Sequence, residues 1–153
     1  MRYALLLFFL LLTACSTTKD YVRDTNSPAS VTELTTYART LIGTPYKYGG
    51  SSPKTGFDCS GFVDHVFQRA AGVSLPHNSQ QISRHGSPIK SSQLREGDLV
   101  FYNTNHDSYS HVGIYLGNSQ FIHAPSSGGK VRIENMTLDY WKKHYNGARR
   151  ITL

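Results

Sequence analysis

Cysteine is scarce in this chain: only Cys15 and Cys59 occur among 153 residues. Two cysteines cannot build a disulfide framework. With neither a CxxC nor an HExxH spacing, the common zinc-binding patterns are missing as well. Long apolar runs are also missing. Tyr3 to Leu12 is apolar for ten residues, whereas a membrane-spanning helix takes about 20. Acidic residues are few, ten against sixteen Lys and Arg, for a net charge of +6. No long basic run interleaved with aromatics accompanies that excess, which excludes a nucleic-acid partner. Neither an internal repeat nor a low-complexity segment divides the sequence, so its length allows one domain and a short appendage.

What is present begins at the N-terminus. Arg2 supplies a thin positive region, the ten apolar residues follow, and Leu12-Thr13-Ala14-Cys15 closes the segment. This order fits a secretory signal, and the tetrapeptide resembles the lipobox of bacterial lipoproteins. The resemblance implies cleavage before Cys15 and a diacylglyceryl group on its thiol. Ser16 in place of an aspartate implies export across the inner membrane and an outer-membrane anchor facing the periplasm. Residues 1–14 are therefore expected to be a signal peptide and residues 15–30 a lipidated tether, with the domain spanning 31–153. Acyl chains contribute about 0.8 kcal/mol per buried CH₂, so membrane association needs no transmembrane helix. The remaining charge, partly clustered in Lys142-Lys143 and Arg149-Arg150, suits an acidic polymer as partner.

From Val31 the pattern is that of a folded domain. Leu34, Tyr37, Ala38, Leu41 and Ile42 share one helical face, with Thr32 as a cap and Gly43 and Pro45 as terminators. Residues 46–57 read as a loop. Phe62, Val63, Val66, Phe67 and Ala70 form the apolar face of a second helix, with Asp58 as N-cap and Gly72 as C-terminal stop. A short third helix is expected after Pro76. Strands are expected at 99–102, 112–116, 120–124, 131–133 and 148–153, with a helical turn near 140–145. Helices first and strands after, joined by short links, argue an α+β domain with an antiparallel sheet.

With Cys15 taken by lipid, Cys59 is a lone thiol in an oxidising compartment. Its position one residue past a helix cap exposes it to unpaired N–H groups and the positive end of the dipole, which favour thiolate. An N-cap carboxylate on Asp58 is expected to point at the N–H groups rather than the sulfur. A base is needed next. Among seven histidines, His111 and His123 abut apolar strands across Gly117-Asn118 and share a hairpin, while His65 falls on the polar side of the Cys59 helix, pointing away from the sulfur, and His106 and His144 read as solvated.

Asp58-Cys59-Ser60-Gly61-Phe62, Gly97-Asp98-Leu99-Val100-Phe101, His111-Val112-Gly113-Ile114-Tyr115 and Phe121-Ile122-His123-Ala124 resemble the signature blocks of the NlpC-type cell-wall peptidases. The likeness runs from about Leu34 to Ile151. It implies a papain-like cysteine peptidase fold, with N-terminal helices packed on an antiparallel β-sheet, acting as a monomer on peptidoglycan stem peptides without cofactor or metal. It gives Cys59 as nucleophile, His111 as general base and His123 as the residue that orients it. Tyr46 matches an oxyanion tyrosine, with Tyr48 as the off-by-one alternative. Asp58 and Ser60 match substrate-peptide positions, although capping the helix is an equal role for them. Where such peptidases often have Leu-Pro-Arg, this chain has Leu75-Pro76-His77, which leaves that arginine's contact open. The bond implied is the D-alanyl–diaminopimelate cross-link, with the γ-D-glutamyl–diaminopimelate bond as alternative. A papain-like acyltransferase, a metal site and a non-catalytic wall-binding lipoprotein are the rival readings.

The triad makes a demand on register. A two-residue Gly117-Asn118 turn would put His111 and His123 on opposite faces of the sheet. Pairing Tyr115 with Ser119 would set the histidines directly across from each other. A three- or five-residue connection, or a bulge, is therefore expected.

Overall fold

The computed structural model describes residues 30–153; the expected signal peptide, Cys15 and nearly all of the expected tether lie outside the described residues. The first helix, α1 (Val31–Thr40), is capped by Ser30 and not Thr32. Ser30 Oγ accepts from Glu33 N at 3.1 Å and Glu33 Oε2 accepts from Ser30 N at 3.0 Å. This reciprocal capping box needs a glutamate three residues after the cap, a spacing that Thr32 does not have. Leu34 and Ala38 are fully buried. Ile42 is 49% exposed because the helix has already ended and Leu41 is its C-cap.

Residues 46–57 are mainly loop, with two short paired strands, β1 (Ser51–Ser52) and β2 (Gly56–Phe57). Helix α2 (Cys59–Ala71) starts on Asp58, whose side chain accepts from Gly61 N, and stops at Gly72 in the left-handed conformation. A single-turn helix, α3 (Ser79–Ile82), is capped by Asn78.

A six-stranded antiparallel sheet follows. Its strands are β3 (Ser87–Ile89), β4 (Leu99–Tyr102), β5 (His111–Tyr115), β6 (Gln120–His123), β7 (Arg132–Asn135) and β8 (Tyr145–Arg150), in the order β3-β8-β4-β5-β6-β7. Helix α4 (Asp139–His144) precedes β8. Strand β3 carries Pro88 and no apolar alternation, so it escapes a pattern reading; at the sheet edge its missing N–H does no harm. Strand β8 starts three residues earlier than expected and pairs with β4 through an irregularity between Phe101 and Tyr102.

The sheet is buried on both faces at its centre. Leu99, Phe101, Val112, Ile114 and Ile122 pack with Phe62, Val63, Val66 and Phe67 of α2. Val100, Tyr102, Phe121 and Ala148 pack with Trp141 of α4 in a separate cluster on the other side. Strand β4 contributes alternately to both, which is why it reads as an unbroken apolar run.

One ion pair ties the sheet together. Asp98, 1% exposed, accepts from Arg150 Nε and Nη2, both at 2.7 Å, and from Arg95 N at 2.8 Å. Arg149 donates to Ser83 O at 2.6 Å. The Arg149-Arg150 pair expected to meet an acidic polymer is thus engaged within the fold, and of that charge only Lys142 and Lys143 are exposed. Replacing Arg150 by Met strands a buried carboxylate and is expected to lower stability by about 3 kcal/mol. Urea unfolding of the two proteins measures it, and an unchanged midpoint would remove Asp98 from this role.

Candidate active site

The candidate active-site groove forms where the start of α2 lies beside the start of β5. Cys59 is the first residue of α2 and is partly exposed. A groove of ≈ 560 Å³ is lined by Tyr46, Asp58, Cys59, Ser60, His77 and His111, with the 104–110 loop on its far side. Five of the six expected site residues of the domain therefore line one groove, and the sixth, His123, is bonded to His111.

The hairpin carrying the histidines answers the register demand. Strands β5 and β6 pair Ile114 with Ile122 and Tyr115 with Phe121, and Leu116 N donates to Gln120 O at 2.8 Å. The connection is therefore three residues, Gly117 to Ser119, all with positive φ. Parity is as required, and both histidines lie on one face. The register differs from a direct pairing by one step on each strand, so His123 sits opposite Gly113 and reaches His111 diagonally. A Cβ on Gly113 would meet Phe121 Cδ2 at 2.7 Å, Ile122 O at 2.9 Å and His123 Cβ at 3.2 Å. Gly113 thus permits the close approach, a role that reading the motif as a block had missed.

His111 Nε2 and His123 Nδ1 are 2.7 Å apart. This bond occupies one nitrogen of His111 and leaves Nδ1 as its only site for accepting a proton. For His111 to act as a base, its Nε2–H must donate and His123 must hold its own hydrogen on Nε2. His123 is fully buried, and that Nε2 finds no partner among the described residues. The ring is held instead by Phe121 and Trp141, at centroid distances of 4.8 and 5.1 Å. Trp141 also stacks on His111 at 6.1 Å and 27°. Sequence periodicity offered no reason to place the single tryptophan there.

Burial opposes charge on both partners. It pushes the Cys59 thiol up to about 11, with the Asp58 carboxylate adding to the rise; N–H groups of Val112, Ser60 and Cys59 itself pull it partly back. The helix-start contribution expected from the sequence is therefore present but outweighed, and the capping carboxylate does act on the sulfur. His111 is lowered to about 4 by burial and then by the Arg132 cation. His123 is lowered further, by burial, His111 and Arg132 in that order. The resting site at neutral pH is a neutral thiol beside a neutral imidazole.

Asp58 is heavily engaged. Its Oδ1 accepts from Gly61 N at 2.7 Å, Ser60 Oγ at 3.0 Å and His77 Nε2 at 3.0 Å, and Oδ2 accepts from Gly49 N at 2.9 Å. His77, which stands where the resemblance expects arginine, is thus bonded to Asp58. Tyr46 is half-buried near Cys59, and burial, Cys59 and Asp58 all raise its pKa. Tyr48 is 89% exposed on the rim of the same groove. His65 does not line the groove: it bonds Tyr37 Oη at 2.9 Å between α1 and α2 and packs on Phe57.

The NlpC/P60 family profile matches residues 43–150. Murein DD-endopeptidase MepH of Escherichia coli (strain K12) is 43% identical over 113 residues, covering 72% of this chain and 42% of that protein. Gamma-DL-glutamyl hydrolase of Bacillus subtilis (strain 168) is 44% identical over 114 residues, covering 74% and 27%. The chain spans less than half the length of both relatives. Among solved structures, an NlpC/P60 family protein from Bacillus cereus superposes with a TM-score of 0.76 at 30% identity, covering 83% of this chain and 42% of that one. The α+β papain-like architecture expected from the sequence is the one found.

A neutral resting pair has a kinetic signature. In a Cys15→Ser form, the rate constant for alkylation of Cys59 by iodoacetamide is expected to climb about tenfold per pH unit between about pH 6 and pH 9. A rate already level across that range would instead indicate a preformed thiolate–imidazolium pair.

Proposed function

We propose that this chain, which belongs to the NlpC/P60 family, is a cysteine endopeptidase that hydrolyses amide bonds in peptidoglycan stem peptides. The observation that carries this reading is His111, which lines the Cys59 groove while its Nε2 is bonded to the buried His123.

The chemistry follows from the free nitrogen. As the thiol sulfur of Cys59 attacks the scissile carbonyl carbon, its proton passes to His111 Nδ1. Because both groups are neutral at rest, this transfer accompanies attack and does not precede it. The tetrahedral oxyanion is met by the backbone N–H at the start of α2 and by the Tyr46 hydroxyl. The carbon–nitrogen bond then breaks, and the amine leaves with the proton from His111. Water hydrolyses the thioester: His111 takes its proton, hydroxide adds to the carbonyl, and the sulfur departs and regains that proton. His123 holds the ring angle and tautomer of His111 throughout. Asp58 and Ser60 shape the helix start; Asp58 Oδ2, with its single partner, is the atom of the pair with room for a substrate N–H.

The D-alanyl–diaminopimelate cross-link is the bond proposed, supported by the likeness to a murein DD-endopeptidase. The likeness to a gamma-DL-glutamyl hydrolase supports a second reading, the γ-D-glutamyl–diaminopimelate bond. The Leu12 to Cys15 motif further supports a lipid anchor on Cys15, in the outer membrane facing the periplasm. Lys142 and Lys143, exposed on α4, then face the acidic wall polymer.

Purified murein is expected to release soluble fragments with the wild type and none with Cys59→Ala, and product masses from defined cross-linked muropeptides assign the bond. Equal release by both proteins would sink the peptidase reading. Metabolic palmitate labelling is expected in the wild type and lost in Cys15→Ser; label surviving that substitution would remove the anchor.

A further inference from the structure

His111 lines a second recess besides the Cys59 groove. This one, of ≈ 300 Å³, shares Thr104, His111 and Ser126 with the first, and is otherwise built from Arg132, Glu134 and Trp141 with their neighbours. The base thus stands at the junction of two adjoining depressions. Only one of them contains the nucleophile.

Arg132 and Glu134 occupy alternate positions of β7 and so share a face. Arg132 Nε donates to Glu134 Oε1 at 2.7 Å and Nη1 donates to Ser127 O at 2.9 Å. The 124–131 loop is shaped around the guanidinium. Gly128 has a φ of +82°, and a Cβ there would collide with Arg132 Nη1. A surface ion pair by itself contributes little to stability, so stability does not explain a cation held in this way beside the base. Its presence also works against His111, since the charge makes protonation harder. An anion bound at Arg132 would relieve that opposition when substrate arrives.

The direction of the reaction says which part of the substrate meets this recess. His111 returns its proton to the departing nitrogen, so the leaving half must pass His111 on the side away from the sulfur. On the cross-link reading, the carbon bonded to that nitrogen carries a free carboxylate. We propose that Arg132 is a specificity-determining residue that receives this carboxylate, making the Arg132 recess the leaving-group subsite. A planar guanidinium suits a carboxylate with two parallel hydrogen bonds. Glu134 and Ser127 O hold the guanidinium plane so that its remaining edge meets the ligand. This inference rests on the endopeptidase reading above and adds the chemistry its substrate must carry.

Two synthetic cross-linked muropeptide dimers test it, identical except that the carboxyl beside the scissile nitrogen is free in one and a carboxamide in the other. The wild type is expected to favour the free acid by about 10-fold or more in kcat/KM. Arg132→Gln is expected to bring that ratio to about one, losing the acid and sparing the amide. Arg132→Lys should keep part of the preference, with thermal unfolding unchanged in both variants. A wild type indifferent to the amide, or an Arg132→Gln that slows both dimers equally, overturns the inference while leaving the peptidase reading intact. A wild type that cleaves neither dimer overturns the cross-link reading itself, and the inference with it.

Discussion

The packing of α2 against β5 is the contact on which the rest of this molecule depends. Phe62, Val63, Val66 and Phe67 lie fully buried against Val112, Ile114 and Ile122, and complete burial of each such side chain is worth about 1.5–3 kcal/mol. The side chains of Val112 and Ile114 anchor the strand while the alternate positions, 111 and 113, face the other way. Packing the helix onto the strand therefore brings the first residue of α2 to the first residues of β5. Cys59, the Val112 N–H and His111 meet as a consequence of core packing, with no contact devoted solely to assembling them.

The opposite face of the sheet controls the base. His111 and His123 belong to a layer completed by Phe121 and Trp141, where burial sets the electrostatics. A helix start lowers a thiol pKa and an adjacent imidazole offers a proton acceptor, and both features are visible in a sequence. Desolvation acts more strongly in the opposite direction on each group. The site is neutral at rest for that reason. On the peptidase reading proposed above, the orientation of His111 prepares the site, held by a 2.7 Å bond to the fully buried His123 ring.

Around this centre, several polar residues serve more than one purpose. Asp58 caps α2, tethers Gly49 and Ser60, and holds His77, and its charge is felt by the thiol. His77 stands where the resemblance expects arginine and bonds the same carboxylate that caps the helix. Arg132 likewise supports a loop and bears on the base.

The lone thiol, the two histidines and the four motif blocks were legible in the chain because catalytic chemistry restricts residue type, and spacing restricts their order. The apolar periods of both long helices and the burial of β4 were legible for the same local reason. The cap at Ser30, edge strand β3 and the start of β8 were not, because each is decided by partners distant in sequence or by a spacing easily misjudged. The two-residue repeat of any strand let the sequence by itself determine the condition, that the two rings share a face only if the hairpin register is even. Which residue lies opposite which, how Gly113 makes room, where Trp141 stacks and how far burial outweighs the helix dipole were decided only by the tertiary structure. Those quantities depend on distances between segments, and a sequence records order without distance.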